Sequence, residues 1–231
     1  MEDQKKAWET SYSNQDNFVF YPHEEIIRFV SRYIRKRIGL REFREVIPHM
    51  HSPRVLDLGC GIGRHVIYFH EMGFDCHGID LSATAVEFAR QWGRERGITN
   101  VESRIVQGDV RSLPWSDASF DVIVSHGVLD SMPLEVAKTA CLEAARILRE
   151  NGLFYCDVVS GDDSTHAREF AGEEIVATPH EQGTIQSYFN FKKILGLIEN
   201  SFDIIECKLI RQENVLSGHF ISRYHLSLKR K

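Results

Sequence analysis

The sequence lacks the cysteine spacing of a disulfide framework or a zinc site. Such frameworks and sites use paired, closely spaced cysteines. The cysteines here are odd in number, widely scattered and contain no Cys-x-x-Cys pair. We therefore predict a reducing compartment and no metal site. The five cysteines are Cys60, Cys76, Cys141, Cys156 and Cys207.

Long apolar runs are also missing. No stretch of about 18 apolar residues occurs anywhere in the sequence, which is what a membrane-spanning helix would need. No early segment combines a charged start, an apolar core and a small-residue cleavage site, as a secretory signal would. These absences predict a cytoplasmic protein without a membrane as partner.

Charge of one sign is not concentrated in any long block. The 231 residues carry a net charge of −5, with acidic and basic residues mixed along the chain. A general polyanion-binding surface is therefore not expected, and nucleic acid is an unlikely partner. The locally basic segments at Arg32–Arg37 and Lys229–Lys231 are interpreted as a solvated helix face and a chain end. The oligomeric state is not predicted.

Beyond residue 53 the apolar pattern predicts an α/β domain. Short apolar runs alternate with stretches in which apolar residues recur three or four positions apart, as in strand–helix units around a parallel sheet. The loop near residues 212–218 is too short for a crossover helix, so the last two strands should form an antiparallel hairpin. The predicted fold is a doubly wound, mostly parallel seven-stranded sheet with an antiparallel last strand. The predicted strands are Arg54–Leu58, Asp75–Asp80, Ser103–Gln107, Phe120–Ser125, Leu153–Val159, Asp203–Ile210 and His219–Leu228, and the helices between them are Arg64–Met72, Ser82–Arg96, Pro133–Arg149 and Phe191–Asn200.

A single domain is predicted over residues 1–231, in four parts. Residues 1–52 form an N-terminal arm with an amphipathic helix at Tyr21–Arg37. Residues 53–159 form the ligand-binding core, residues 160–187 a lid-like insertion, and residues 188–231 a helix and a strand hairpin. A connection as long as the insertion is often a lid or binding loop. His49 and His51 precede the first strand and are expected at the sheet end opposite the ligand.

A glycine turn follows the first strand in the segment "VLDLGCGIGR". Glycine accepts positive φ and has no Cβ, so a ligand can lie against the backbone N–H groups of such a turn. A dinucleotide fingerprint starting at Gly59 would need glycine at position 64, where Arg64 stands. Carboxylates at the ends of three neighbouring strands, Asp57, Asp80 and Asp109, converge on one crevice and suit a cationic ligand better than a pyrophosphate.

Four motifs together carry a resemblance to a known family. The segments "VLDLGCGIGRH", "GIDLS", "VQGDVRSLPWSDASFDVIVS" and "AARILRENGLFYCDV" resemble, in this order, the successive motifs of class I S-adenosylmethionine-dependent methyltransferases. The resemblance covers residues 53–159, and the predicted strands extend it to the C-terminus. It implies the Rossmann-like methyltransferase fold, S-adenosyl-L-methionine as cofactor and methyltransferase activity.

The resemblance also implies which residues hold the cofactor. It places Gly59, Cys60 and Gly61 beside the methionine part, with Asp57 supporting the turn and the amino group. The nucleoside part would meet Asp80 at the ribose hydroxyls and Leu81 beside the adenine.

Further positions follow from the later motifs. The resemblance implies that Asp109 accepts from the adenine amino group and that the backbone N–H of Val110 meets a ring nitrogen. Ser125 and His126 would lie near the sulfonium and the methyl group.

A general base is needed if the acceptor is a hydroxyl or an ammonium group. His126 is the leading candidate for this catalytic role, because it follows the fourth strand and imidazole titrates near working pH. Many relatives carry a histidine at the position of Asp130, so Asp130 is either an acceptor-binding carboxylate or a cap of the next helix. Two tyrosines of the arm, Tyr12 and Tyr21, together with His180 of the insertion, are further candidates for contacting the acceptor.

The predicted function is transfer of a methyl group to an oxygen or nitrogen of a small molecule. The segment "LPWSDASFD" is similar to the corresponding segment of relatives that act on metabolites, lipids or sugars. Alternatives within the same fold are an RNA or protein methyltransferase, or a non-catalytic protein that binds S-adenosylmethionine. A nicotinamide-dependent oxidoreductase is disfavoured by Arg64.

Overall fold

The computed structural model describes residues 2–47 and 52–231, so His49 and His51 lie outside the described residues. Helices and strands alternate through most of the chain. In chain order the elements are α1 (Glu2–Ser13), α2 (Glu24–Tyr33), β1 (Arg35–Arg37), β2 (Phe43–Glu45), β3 (Arg54–Leu58), α3 (Arg64–Glu71), β4 (Asp75–Asp80), α4 (Ala83–Glu95), α5 (Val101–Arg104), β5 (Ile105–Gln107), β6 (Phe120–Ser125), α6 (Leu134–Ile147), β7 (Leu148–Val159), β8 (Glu173–Ile175), β9 (Ile185–Ser187), α7 (Phe191–Ile198), β10 (Phe202–Glu213) and β11 (Phe220–Arg230).

The main sheet has seven strands in the order β10-β11-β7-β6-β3-β4-β5. Strands β7, β6, β3, β4 and β5 pair in parallel, whereas β11 runs antiparallel to both β7 and β10. The predicted fold, with its antiparallel last strand, is confirmed. The chain order reverses between β3 and β6, and ligands of such sheets bind beyond the carboxyl ends of the strands at that point.

Two apolar layers enclose the central strands. Alternate residues of β3 and β6 point to opposite faces: Leu56 and Ile123 pack with α6 and α7, while Val55 and Val122 pack with α2, α3 and α4. All four of these side chains are fully buried. Strands covered on both faces become continuous apolar runs, which is why the sequence pattern located them well.

Several element bounds differ from the sequence prediction. Helix α2 covers Glu24–Tyr33 rather than Tyr21–Arg37, because Arg35–Arg37 pairs as β1 with β2. Strand β5 begins at Ile105, after the short helix α5. Strand β7 begins at Leu148, since Leu148 already pairs with Phe120 of β6.

Helix α1 and the small hairpins were not predicted. Helix α1 docks through Glu9, whose carboxylate accepts hydrogen bonds from the backbone N–H groups of Ala83 and Thr84 at 2.9 and 3.1 Å and from the hydroxyls of Ser82 and Thr84. A carboxylate at a helix N-terminus meets both free N–H groups and the positive end of the helix dipole. This contact places α1 over the carboxyl ends of β3 and β4.

Substitution of Gly59 should destabilise the fold by both backbone strain and overlap. Gly59 has φ +75°, and a Cβ there would lie 2.4 Å from Cγ2 of Val128. We expect Gly59→Ala to lower the free energy of unfolding by about 2–4 kcal/mol. Gly97→Ala is the matched control, because Gly97 has φ +81° with nothing within 4 Å of the new Cβ, and should cost about 1 kcal/mol. Denaturant unfolding measures both, and equal losses would contradict the overlap.

Candidate functional site

A cavity of about 880 Å³ opens at the carboxyl ends of β3, β4, β5 and β6. Its volume lies in the range of small-molecule and cofactor sites. Its wall combines the glycine turn after β3, the segments that follow β4, β5 and β6, helix α1 and the insertion. The cavity therefore lies where the reversal of strand order predicts a ligand site.

The glycine turn forms one wall of the cavity and lets other groups approach closely. Gly59, Cys60 and Gly61 all line it. At Gly61, with φ +52°, a Cβ would lie 2.6 Å from the hydroxyl oxygen of Tyr12. Tyr12 of α1 thus reaches the turn only because position 61 has no side chain.

Asp80 ends β4 and binds the glycine turn to the following helix. Its carboxylate accepts from the backbone N–H of Gly61 at 2.8 Å and from that of Ser82 at 2.9 Å. Burial raises the pKa of Asp80 to about 6, although these two N–H groups oppose the rise. Asp80 lines the cavity, and each of its oxygens keeps a lone pair for a further donor such as a ribose hydroxyl.

Asp57 is a buried carboxylate behind the turn. Its Oδ2 lies 3.5 Å from Nδ1 of His65, and neither oxygen has a hydrogen-bond partner within residues 2–47 and 52–231. The backbone N–H of His23 donates to Nε2 of His65, so the proton of this imidazole sits on Nδ1, toward Asp57. A buried, incompletely paired negative charge favours a cationic ligand in the adjoining cavity.

The adenine candidates all lie on the cavity wall, whereas Ser125, which was expected near the sulfonium, does not. Leu81, Asp109 and Val110 line the cavity. The side chain of Arg111 donates to Asp109, with Nη2 2.7 Å from Oδ2, and this pairing lowers the pKa of Asp109 although burial alone would raise it. Ser125 is buried and does not line the cavity, and its hydroxyl has no hydrogen-bond partner in the described chain.

His126 lines the cavity and contacts a buried carboxylate. Its Nδ1 lies 2.5 Å from Oδ2 of Asp157, a fully buried residue of β7. Burial by itself would raise the pKa of Asp157, but Arg223, His126 and the N–H of Gly127 hold that pKa well below its usual value. Asp157 therefore stays ionised and orients the imidazole, the arrangement that supports a general base.

Other histidines hold the His126 ring in place. The ring of His23 stacks on it with centroids 4.1 Å apart, and the ring of His65 meets it edge-on at 5.8 Å. Burial lowers the pKa of His23 to about 3, so this ring is neutral at working pH. Its Nδ1 accepts from the N–H of Glu25 at the start of α2, which ties the N-terminal arm to the site.

Asp130 takes neither of the two roles expected from the sequence. It is buried outside the cavity wall, accepting from the backbone N–H of Val159 at 2.8 Å and from Arg223 at 2.8 Å. Helix α6 starts after Pro133 without a side-chain cap. The backbone N–H of Val159, which donates to the carboxylate, and the charge of Arg223 hold Asp130 in the interior behind the cavity wall.

The remaining candidates for contacting the acceptor differ in whether their side chains reach the cavity. Tyr12 lines the cavity, whereas the side chain of Tyr21 is directed to solvent and its residue is 80% exposed. His180 is exposed at the tip of the insertion, and its neighbour Glu181 lines the cavity instead, together with Ile185. Tyr21 reaches the site only through its backbone carbonyl, which accepts from Arg64 at 3.4 Å.

Residues that the sequence analysis missed complete the site: Asp157, Arg223, His23 and His65. A charged residue inside the apolar run "LFYCDVV" was a usable signal for Asp157, because a buried carboxylate requires a partner. Arg223 faces Asp157 only through the pairing of β11 with β7, and His23 reaches His126 only through the docking of α2. These contacts depend on the tertiary structure.

Comparison with known proteins agrees with this geometry. Residues 56–156 match the family model of the methyltransferase domain. The uncharacterized methyltransferase YcgJ of Bacillus subtilis is 36% identical over 105 residues, which are 44% of this chain and 38% of YcgJ. The fatty-acid O-methyltransferase of Mycolicibacterium smegmatis is 30% identical over 177 residues, 74% of this chain and 59% of the relative. The chain thus spans less than two thirds of each.

A solved structure shows the same fold. An S-adenosylmethionine-dependent methyltransferase from Methanosarcina mazei superposes with a TM-score of 0.64 at 20% identity, covering 80% of this chain and 98% of the other. Residues 56–156 are therefore a methyltransferase domain of the class I S-adenosylmethionine-dependent type. S-adenosyl-L-methionine is accordingly its cofactor. The predicted family, fold and cofactor are confirmed.

The residues present fit this cofactor. The sulfonium is cationic, and two buried carboxylates, Asp57 and Asp80, lie at the glycine turn. Gly59 and Gly61 present backbone to the cavity beside Val128 and Tyr12, where the methionine part of the cofactor would lie. Among the described helices, none combines the length and apolar content needed to cross a membrane.

Removing the charge of Asp80 should weaken cofactor binding. We expect Asp80→Asn to raise the Kd for S-adenosylmethionine at least about 10-fold, because hydrogen bonds to a charged acceptor contribute about 1.5–3 kcal/mol each. Asp75→Asn, at the opposite end of β4 and paired with Arg104, is the control and should leave the Kd within about 2-fold. Calorimetric titration measures both, and unchanged affinity in Asp80→Asn would remove Asp80 from the site.

The affinity should also depend on pH through the same carboxyl group. Because burial raises the pKa of Asp80 to about 6, the group becomes protonated as the pH falls through that value and loses an acceptor position. The affinity for S-adenosylmethionine should be full above about pH 7 and decline below about pH 6. Titrations between pH 5 and 8 test this, with Asp80→Asn as the variant in which the decline should disappear.

Proposed function

We propose that this protein transfers a methyl group from S-adenosylmethionine to an oxygen or nitrogen of a small molecule, with His126 as the general base. The observation that carries the proposal is the contact of Nδ1 of His126 with the ionised, buried carboxylate of Asp157 at the cavity wall. A base that is oriented by a fixed carboxylate is the arrangement expected for removing a proton from a hydroxyl or ammonium acceptor.

Different residues around the cavity would hold different parts of the cofactor. Asp80 would hold the ribose hydroxyls, Leu81 and Val110 the adenine, and the glycine turn the methionine part. S-adenosylmethionine supplies the methyl group on a sulfonium whose departure as a neutral thioether needs no acid. The remaining requirement is alignment of the acceptor with the methyl group. Such alignment can lower the activation free energy by ~7–11 kcal/mol in the best-oriented cases.

The acceptor space is a partly covered and largely apolar cavity, which favours a small molecule. Helix α1 and the insertion cover the cavity from two sides and contribute Trp8 and Ile185 to its wall. Met132 and Val136, before and within α6, extend this apolar surface. The relative from Mycolicibacterium smegmatis is a fatty-acid O-methyltransferase, and an apolar acceptor would suit this wall.

The chemistry of the covering segments argues against RNA as the acceptor. A single-stranded RNA site would combine a basic groove with exposed aromatic side chains. The insertion that borders the cavity instead carries Glu181 on the cavity wall and five further acidic residues, which would repel a phosphate backbone. These five residues are Asp162, Asp163, Glu169, Glu173 and Glu174.

Loss of the imidazole should slow methyl transfer without removing the cofactor. We expect His126→Asn to lower kcat about 10²–10⁴-fold, the usual contribution of a general base, while the Kd for S-adenosylmethionine changes by no more than about 3-fold. The control is His219→Asn, an exposed position on the loop before β11, with unchanged kcat. Transfer of labelled methyl to a panel of small alcohols, amines and acids supplies the assay.

The pH profile separates a base from a structural residue. A base at His126 predicts an acid limb in the pH profile of kcat, and the absence of this limb in His126→Asn. An unchanged limb in the variant would assign the proton transfer elsewhere. Binding of S-adenosylmethionine without transfer to any panel member would instead support a non-catalytic binding protein, and transfer only to RNA or protein would overturn the small-molecule acceptor.

A further inference from the structure

Arg64 is a cation on the cavity wall that has few hydrogen-bond partners. It is half-buried at the start of α3, and its Nη1 donates a hydrogen bond to the backbone carbonyl oxygen of Tyr21 at 3.4 Å. Across residues 2–47 and 52–231, no carboxylate lies within ion-pairing distance of its guanidinium. A guanidinium offers five N–H donors, so most of the donor capacity of Arg64 remains free.

The surroundings of Arg64 leave it charged but incompletely solvated. Burial lowers the pKa of Arg64 from its high ordinary value, and the nearby charges of Asp57 and Asp157 oppose that shift. Both carboxylates are buried behind the wall, one beneath the glycine turn and the other beneath His126. Arg64 is thus the residue between them that presents positive charge to the cavity.

Arg64 also lies at the same end of the cavity as the candidate base. Its charge acts on His23, whose ring stacks on that of His126, and its hydrogen bond goes to the arm segment just before His23. Since His126 must face the acceptor in the proposed reaction, Arg64 flanks the acceptor. Beyond this polar end, the wall consists of apolar side chains, among them Trp8, Val19 and Ile185.

We propose that Arg64 binds a carboxylate of the acceptor, so that the enzyme takes small carboxylic acids with an apolar body. A guanidinium matches the two oxygens of a carboxylate with two parallel hydrogen bonds, which a lysine or histidine does not reproduce. The apolar wall would receive the body of the acid. This inference rests on the proposed function, because it names the class of acceptor for the same site.

The test compares an acid with its neutral isostere on the protein already loaded with S-adenosylhomocysteine. Octanoate and octanamide have similar size and shape and differ in charge. We expect octanoate to bind the loaded wild-type protein at least about 10-fold more tightly than octanamide, as befits a charge-assisted bidentate contact. Calorimetry in parallel titrations measures both affinities.

Substitution of Arg64 should remove this preference selectively. In Arg64→Met the ratio of the two affinities should fall to about 1, while S-adenosylhomocysteine binds within about 3-fold of the wild type. Arg64→Lys should keep a reduced preference, since a single ammonium retains charge without the paired donors. Arg96→Met, which removes a guanidinium that is bonded to Glu71 away from the cavity wall, is the matched control and should leave the ratio unchanged.

Two outcomes would overturn the inference. Equal binding of octanoate and octanamide, or binding of neither, would mean that the site does not recognise an acid. A loss of S-adenosylhomocysteine affinity in Arg64→Met as large as the loss for octanoate would assign Arg64 to the carboxylate of the cofactor. Failure of the proposed function is distinguishable, because it would appear first as absence of S-adenosylhomocysteine binding or of methyl transfer in the wild-type protein.

Discussion

The site depends on one buried ion pair that joins neighbouring strands of opposite direction. Asp157 of β7 and Arg223 of β11 approach to 3.3 Å, and Arg223 also binds Asp130 at 2.8 Å. A buried carboxylate is costly unless charges and donors compensate it, and here Arg223, His126 and the N–H of Gly127 all do so. The ionised state of Asp157 then orients His126. The antiparallel pairing of β11 with β7 places Arg223 opposite Val159, two positions from Asp157, and its guanidinium reaches the carboxylate from there.

A second constraint acts at the glycine turn, where backbone geometry and a carboxylate cooperate. The N–H of Gly61 is free to meet Asp80 because the turn adopts positive φ, and Tyr12 fills the space that a side chain would occupy. Asp80 therefore connects the turn to the start of α4 through Ser82. The carboxylate of Glu9 in α1 also accepts hydrogen bonds from the start of α4. The start of α4 therefore fixes both the glycine turn and the helix that covers it.

The N-terminal arm shapes the acceptor end rather than the cofactor end. His23 caps α2 through its Nδ1 and stacks on His126, so the helix and the base are positioned by a single ring. Arg64 binds the carbonyl of Tyr21 in the same arm. Parts outside the strand–helix core thus contribute groups to this end of the cavity, which agrees with the general separation of fold from function.

The sequence alone determined the fold, the family and the location of the cofactor wall. Strands buried on both faces are continuous apolar runs, and the turn residues and strand-end carboxylates lie close together in the chain, so local pattern is sufficient. Only the tertiary structure decided which side chains surround His126 at the cavity. Asp130 turned inward to Arg223, 93 positions away, and His126 acquired its partner from β7 and its stacking ring from the arm. Such contacts are set by strand pairing and helix docking, for which no local pattern in the sequence provides a signal.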